Sequence, residues 1–256
     1  MAKGKRRFHD FNWINLMTPE LERAASFYAS VLGWTYGDGV PRGKLILVDG
    51  LPAGALMDLA ACPPGLPASI GVMIKVEDAD AAVARVNALG GQAGPAFDVL
   101  ENGRMAMCKD PCGGVFNVWQ PLSKDGAECD SHAHGAPSWF ETLTTDVDAA
   151  VRFYTELFGW QTAVEQPTPG APYTVFKHGG VPIAGAMRFD ADKMGGIPPH
   201  WATYFAVDDT DGVVRLAKEH GATICLGPLD IPKVGRFALM KSPQGVPFHV
   251  LQYVDG

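Results

Sequence analysis

The stretch Trp13–Trp34, WINLMTPELERAASFYASVLGW, recurs 126 residues later in the chain as Trp139–Trp160, WFETLTTDVDAAVRFYTELFGW. Seven of the 22 aligned positions are identical. A second repeat is found further on, where Gly103–Gln120 reads GRMAMCKDPCGGVFNVWQ and Gly235–Gln252 reads GRFALMKSPQGVPFHVLQ. Repetition over this length indicates that one structural unit has been duplicated.

The two repeats divide the chain into related halves. We predict one domain over residues 8–120 and a second over 138–254, because each half carries one copy of both motifs. The segment 121–137, PLSKDGAECDSHAHGAP, has no apolar periodicity and is typical of a linker. Since the chain has 256 residues, each half is long enough to bury a hydrophobic core of its own.

The composition is that of a globular protein with an acidic surface. The chain is 47% hydrophobic and has a net charge of −7. Because nucleic-acid phosphates require a basic surface, nucleic acid is not an expected partner. No uncharged stretch is long enough to span a bilayer, no apolar segment follows the basic residues near the start, and the five cysteines form no Cys-x-x-Cys pair. We expect a cytoplasmic monomer or homodimer, not bound to membranes, whose partner is a small molecule.

The apolar spacing predicts two modules in each half, each with the order strand, helix and three strands. In the first module, Thr18 is the predicted N-cap of a helix that Pro19 begins and Gly33 ends. Asp78 is the predicted N-cap of the next helix, and Asp110–Gly113 fits a type I turn between two strands. The expected fold class is α+β, with four βαβββ modules in two domains whose curled mixed sheets surround a cavity.

Four features of the sequence resemble the vicinal oxygen chelate superfamily. These are the FY-x-x-x-LGW motif at Phe27–Trp34, its copy FYTELFGW at Phe153–Trp160, the Gly-Arg strands followed by DPCG or SPQG, and the closing FNVWQ and FHVLQ. The superfamily includes glyoxalases, extradiol dioxygenases and bleomycin resistance proteins. The resemblance implies two tandem glyoxalase-like domains, but one fold of this kind supports isomerases, dioxygenases and ligand-sequestering proteins alike.

Enzymes of this superfamily hold a divalent ion with His and Glu or Gln on the first and last strands of paired modules. The modules can pair as first with second and third with fourth, or as first with fourth and second with third. The positions that match the family's ligands are Trp13, Met57, Gly71 and Asn117 in the first half, and Trp139, Met187, Ala202 and His249 in the second. A slip of one residue would replace Met57 by Asp58, or Met187 by Arg188. Only His249 is a strong ligand, so we expect no metal and no cofactor.

A different metal site remains open in the second half. Glu141 lies two residues after Trp139, and His200 lies two residues before Ala202, so strand alternation places each on the same face as its neighbour. Together with His249 they form a candidate His-His-Glu set.

Aromatic and sulfur-bearing side chains dominate the positions predicted to face the cavity of each half, here called its cup. The candidate ligand-binding residues are Trp13, Asn15, Met57, Met73, Asn117 and Trp119 in the first cup, and Trp139, Glu141, Met187, Tyr204 and His249 in the second. This pattern favours a binding site for a small, partly aromatic or amphipathic organic molecule. The alternative is a glyoxalase-like lyase or isomerase, or a dioxygenase-type enzyme, that uses a divalent metal or has Glu141 and His249 as its catalytic pair.

Overall fold

The computed structural model describes residues 5–62, 64–168, 171–190 and 196–254. The elements of the first half are β1 (Phe11–Thr18), α1 (Leu21–Leu32), β2 (Thr35–Gly37), β3 (Gly43–Val48), β4 (Leu51–Asp58), a 3-10 turn (Leu59–Ala61), β5 (Ser69–Lys75), α2 (Ala79–Ala88), β6 (Gln92–Ala93), β7 (Phe97–Val99), β8 (Gly103–Lys109) and β9 (Val115–Pro121). Those of the second half are β10 (Pro137–Thr144), α3 (Val147–Phe158), β11 (Gln161–Thr168), β12 (Ala171–His178), β13 (Val181–Arg188), β14 (His200–Ala206), α4 (Thr210–Glu219), β15 (Thr223–Ile231), β16 (Gly235–Lys241) and β17 (Pro247–Tyr253). The α+β fold with four βαβββ modules is confirmed.

The modules pair as first with second and third with fourth. In the first half the strand order is β2-β3-β4-β1-β5-β9-β8-β6, with β7 also paired to β8. In the second half it is β11-β12-β13-β10-β14-β17-β16-β15. Within each half, the first strands of the two modules run antiparallel side by side, β1 with β5 and β10 with β14. Each half is therefore one continuous mixed sheet that does not close into a barrel.

The two halves share one large hydrophobic core, and a smaller buried cluster lies on the other face of the second half's sheet. On β1, Ile14 and Leu16 are fully buried in this core, while Trp13 and Asn15 on the alternate positions face the opposite side of the sheet. The first strands meet across the interface, where the rings of Phe11 and Phe140 stack at 4.2 Å. Each sheet thus packs one face against the other half and leaves its second face as a cup.

The repeated tryptophans at the ends of the two motifs link the halves reciprocally. The indole Nε1 of Trp34 donates a hydrogen bond to the Gly135 carbonyl at 2.8 Å. The indole Nε1 of Trp160 donates to the His9 carbonyl, also at 2.8 Å. Both indoles are buried, and each carbonyl lies shortly before the first strand of the other half. The motif that reveals the duplication therefore positions one half on the other.

A buried hydrogen-bonded chain joins the first half's hairpin turn to the second half. The Trp201 indole donates to the Tyr154 hydroxyl at 2.8 Å, and that hydroxyl donates to Asp110 Oδ2 at 2.9 Å. The other Asp110 oxygen accepts from the backbone N–H groups of Cys112 and Gly114, as expected for this turn. Burial raises the pKa of the Asp110 carboxyl, and these hydrogen bonds oppose the shift.

The local predictions are confirmed except at one helix start. Asp78 caps α2 through Oδ1, and Gly33 ends α1 in the left-handed conformation. The predicted N-cap at Thr18 and helix start at Pro19 are wrong, because β1 continues through Thr18 and α1 begins only at Leu21. Strand pairing with β4 extends to Thr18 and Asp58, and it outweighs the local capping preference.

The segment between the halves is packed against the first half. Ala127 N donates to the Asn12 carbonyl, and Glu128 N donates to the Pro52 carbonyl. Cys129 in this segment is 1% exposed. Since backbone hydrogen bonds fix this segment, it acts as a structural strap and not as a flexible tether.

We predict that Tyr154→Phe lowers the free energy of unfolding by about 2 kcal/mol, because it leaves Asp110 and Trp201 with buried, unpaired polar atoms. The matched control is Tyr28→Phe. The equivalent Tyr28 hydroxyl lies beside Ser242 but has no partner at hydrogen-bonding distance and angle, so its loss should cost under about 0.5 kcal/mol. Urea denaturation measures both values, and equal losses would contradict this account of the interface.

Candidate functional site

The cup of the first half, here called the N-cup, is lined by side chains from five adjacent strands. Trp13 pairs with Met73 across β1 and β5, and Met73 pairs with Asn117 on β9. Because paired residues project to the same face of a sheet, these side chains share the cup with Asn15 and Trp119. Met57 faces it too, since it pairs with Met17 on β1, whereas Asp58 caps the following 3-10 turn.

Methionine is the most frequent residue type on this face. The register places five of the chain's nine methionines there: Met17, Met57, Met73, Met105 and Met107. Sequence reasoning missed three of them, although Met17 stands two residues after Asn15, and Met105 and Met107 alternate along the Gly-Arg strand. The N-cup is therefore a flexible, polarisable surface of thioethers flanked by two indoles.

Amides supply the polar groups identified on the N-cup floor. The Trp13 indole donates to Asn15 Oδ1 at 3.2 Å, and Asn15 Nδ2 contacts the Met73 sulfur at 3.4 Å. Asn117 Nδ2 donates to the Val72 carbonyl at 3.1 Å. Gly71 lies between these groups, and a Cβ there would approach Asn117 Nδ2 at 3.4 Å. Trp13 and Asn15 are only partly buried, so the N-cup is accessible from solvent.

The cup of the second half, here called the C-cup, holds a buried polar network in place of the methionines. The Trp139 indole donates to the Tyr173 hydroxyl at 2.9 Å. Glu141 accepts a hydrogen bond from Tyr204 at 3.0 Å, and the Tyr173 hydroxyl lies near its carboxyl. Tyr173 was missed by sequence reasoning, because nothing in the sequence gave the register of β12. Met187 lies at the rim and is 40% exposed.

Glu141 and His249 both contact Tyr204. Its ring stacks on the imidazole with the ring centroids 4.3 Å apart, while its hydroxyl binds Glu141. Burial raises the pKa of the Glu141 carboxyl, and the neighbouring hydroxyls of Tyr173 and Tyr204 oppose this shift. Burial lowers the pKa of His249 to about 4, helped by nearby His200 and opposed by a backbone hydrogen bond with Thr203. The imidazole is therefore neutral at pH 7, and its buried Nδ1 has no hydrogen-bond partner.

The side chains at the family's ligand positions do not fit a divalent ion. Trp13, Gly71, Trp139 and Ala202 offer no donor atom to a metal, and the thioethers at the Met57 and Met187 positions are soft ligands that Zn²⁺, Mn²⁺ and Fe²⁺ disfavour. Over the described part of the chain, no three His, Cys, Asp or Glu side chains converge on one point. The candidate set of Glu141, His200 and His249 is thus not assembled: His200 Nδ1 instead contacts the Pro198 carbonyl at 2.9 Å.

The model of the Glyoxalase/Bleomycin resistance protein/Dioxygenase superfamily matches residues 10–118 and 137–250 of this chain. The protein belongs to that superfamily. The two matched segments correspond to the two sheets, so each half is one glyoxalase-type domain. None of the described helices is both long and apolar enough to cross a membrane.

Similar proteins span nearly the whole chain. The "Putative glyoxylase CFP32" of Mycobacterium tuberculosis is 37% identical over 248 residues, which cover 94% of each chain. The anthracycline biosynthesis protein DnrV of Streptomyces peucetius is 33% identical over 264 residues, covering 95% of this chain and 93% of DnrV. Among solved structures, the Mn(II)-bound glyoxalase of Novosphingobium aromaticivorans has a TM-score of 0.64 at 16% identity, covering all of this chain and 85% of the glyoxalase. This last likeness shows the fold alone.

We predict that His249→Gln reduces the loss of stability on acidification. In the unfolded chain His249 titrates near its ordinary pKa of 6.5, whereas in the fold its pKa is about 4. The unfolded state therefore binds the proton first, and this residue destabilises the fold increasingly as pH falls from 6.5 to 4, by on the order of 3 kcal/mol.

The measurement is urea denaturation from pH 8 to pH 4, with exposed His132→Gln as the control variant. The difference in unfolding free energy between the parent protein and His249→Gln should change more steeply over this range than the difference for the exposed His132→Gln. A constant difference for His249→Gln would show that its imidazole titrates normally in the folded protein.

Proposed function

We propose that this protein binds a small, partly aromatic or amphipathic organic molecule in the N-cup, without a resident metal ion. The single observation that carries this proposal is the lining of five methionines and two tryptophans on one accessible sheet face. Thioethers adapt their shape to planar apolar ligands, and indole rings stack on aromatic ones. The Asn15 and Asn117 amides supply hydrogen bonds that orient a carbonyl or hydroxyl group.

Two further features support this reading. DnrV, a relative of similar length, is named for the biosynthesis of anthracyclines, which are planar, multi-ring aromatic molecules. The five cysteines are all free, with Cys108 and Cys129 buried, which suits a reducing compartment and supports a cytoplasmic location.

We predict that Gly71→Leu weakens the binding of anthraquinone-2-sulfonate by about tenfold or more, because the new side chain fills the N-cup beside Asn117 and Met17. Gly71 has no left-handed backbone conformation, so the substitution adds volume without backbone strain. Isothermal titration calorimetry measures the affinity. The matched control, Gly71→Ala, adds one methyl group at ordinary contact distance and should bind within about threefold of the parent protein. Unchanged binding by Gly71→Leu would exclude the N-cup as the site.

A second candidate function is a glyoxalase-like lyase or isomerase reaction in the C-cup. It is favoured by one observation, the contact of both Glu141 and His249 with Tyr204 in a buried setting, since an acid and a base of shifted pKa are the groups such a reaction needs. A divalent metal recruited by a ligand set other than the family's would serve the same chemistry.

Elemental analysis and a turnover assay separate the two candidates. For protein purified without a histidine tag, we expect no stoichiometric Zn, Ni, Mn or Fe and no conversion of methylglyoxal with a thiol. Near-stoichiometric metal together with activity that a chelator abolishes would overturn the binding proposal. Metal-free activity that Glu141→Gln abolishes would instead establish the acid–base reaction.

A further inference from the structure

Tyr173 fills the floor of the C-cup with a phenol ring. It stands on β12, and its hydroxyl lies directly over Gly185 on β13, where a Cβ atom would overlap it. In the N-cup the strand registers put Gly43 at the equivalent position, so that cup has no such occupant. Tyr173 therefore differs from the other residues that line the cups, because it lies over a glycine and has no counterpart in the first half.

The Tyr173 hydroxyl lies in a polar setting suited to a phenol. The Trp139 indole donates to its oxygen at 2.9 Å, and the Glu141 carboxyl lies nearby. Burial and the proximity of the Glu141 charge both raise the pKa of Tyr173, which keeps its hydroxyl neutral. An indole donor and a neighbouring carboxyl therefore favour a neutral phenolic group at this position.

With Tyr173 in place, one polar atom of the C-cup still has no hydrogen-bond partner. His249 is 8% exposed, stacks on Tyr204, and its Nδ1 has no hydrogen-bond partner. A buried polar atom without a partner costs free energy, which a bound group able to donate a hydrogen bond would recover. Tyr173 gives the Trp139 indole a hydrogen-bond partner but leaves His249 Nδ1 without one.

We propose that the C-cup is a binding site for phenolic rings, that Tyr173 occupies it in the ligand-free protein, and that a phenolic ligand binds by displacing Tyr173 from Trp139 and Glu141. This site is additional to the N-cup and does not depend on ligand binding there. Tyr173 in its ligand-free position makes the C-cup self-inhibited, because a ligand must compete with a ring that is covalently part of the chain.

The test measures binding of 4-methylphenol, the free analogue of the tyrosine side chain, by isothermal titration calorimetry. Tyr173→Ala removes the competitor, so we expect it to bind 4-methylphenol about tenfold more tightly than the parent protein does. Toluene, which lacks the hydroxyl, should bind Tyr173→Ala about fivefold to tenfold more weakly than 4-methylphenol. Tyr36→Ala is the matched control, because the Tyr36 hydroxyl binds the Ala25 carbonyl outside both cups, and it should behave as the parent protein.

Tyr173→Phe keeps the proposal testable if the alanine variant does not fold. Its ring lacks the hydroxyl that accepts from Trp139, so 4-methylphenol should displace it more readily and bind more tightly than it binds the parent protein. Equal 4-methylphenol affinities for the parent protein and every folded Tyr173 variant would overturn the proposal, as would equal affinities for 4-methylphenol and toluene. Gly71→Leu should leave these affinities unchanged. The binding proposal for the C-cup can therefore fail without affecting the proposal for the N-cup, and the reverse also holds.

Discussion

Alternation along the two central first strands, β1 and β10, is the constraint on which the rest of the structure depends. Both faces of each strand are used, since one set of side chains builds the core shared by the two halves and the other set builds a cup. Ile14 and Phe140 belong to the first set, and Asn15 and Glu141 belong to the second. A shift of one residue would exchange the two sets, placing amides and carboxylates in the core. The register is therefore fixed by burial on one face, and the chemistry of the cups follows from it.

The reciprocal tryptophan bonds hold this arrangement in place. Because Trp34 binds the strand entry of the second half and Trp160 binds that of the first, neither sheet can rotate without breaking a buried hydrogen bond. The two copies of the duplicated motif are similar where they meet the shared core, because both make the same kind of contact with the other half. The side chains of the two cups can differ because they do not take part in the contact between the halves. One cup carries adaptable thioethers, and the other carries a specified network of phenols, a carboxylate and an imidazole.

Much of the architecture could be predicted from the sequence, because duplication, helix spacing and turn residues are local signals. The four modules, the caps at Gly33 and Asp78 and the hairpin at Asp110 follow from such signals. The helix start at Pro19 was wrong, because strand pairing of Thr18 is a tertiary effect. The burial of Cys129 likewise depends on contacts with distant parts of the chain, which local signals do not reveal.

The candidate site was predictable only where a motif set the register. Trp13 and Trp139 could be placed from their distance to the FY motif. Tyr173 could not, because the β11–β12 hairpin contains no repeated residue to align it, and the nearby Gly185 is informative only once β12 and β13 are paired. The excess of methionines on one face likewise becomes visible only when the order of five strands is known.

In the function we propose, the ligand binds in the apolar, thioether-lined N-cup. Methyl-labelled methionine NMR tests it most directly, because the cup's own side chains report on occupancy. On titration with anthraquinone-2-sulfonate, the account predicts shifts for the methyl groups of Met17, Met57, Met73, Met105 and Met107. The signals of Met187 at the C-cup rim and of buried Met240 should stay unchanged. Shifts confined to Met187, or none at saturating ligand, would contradict it.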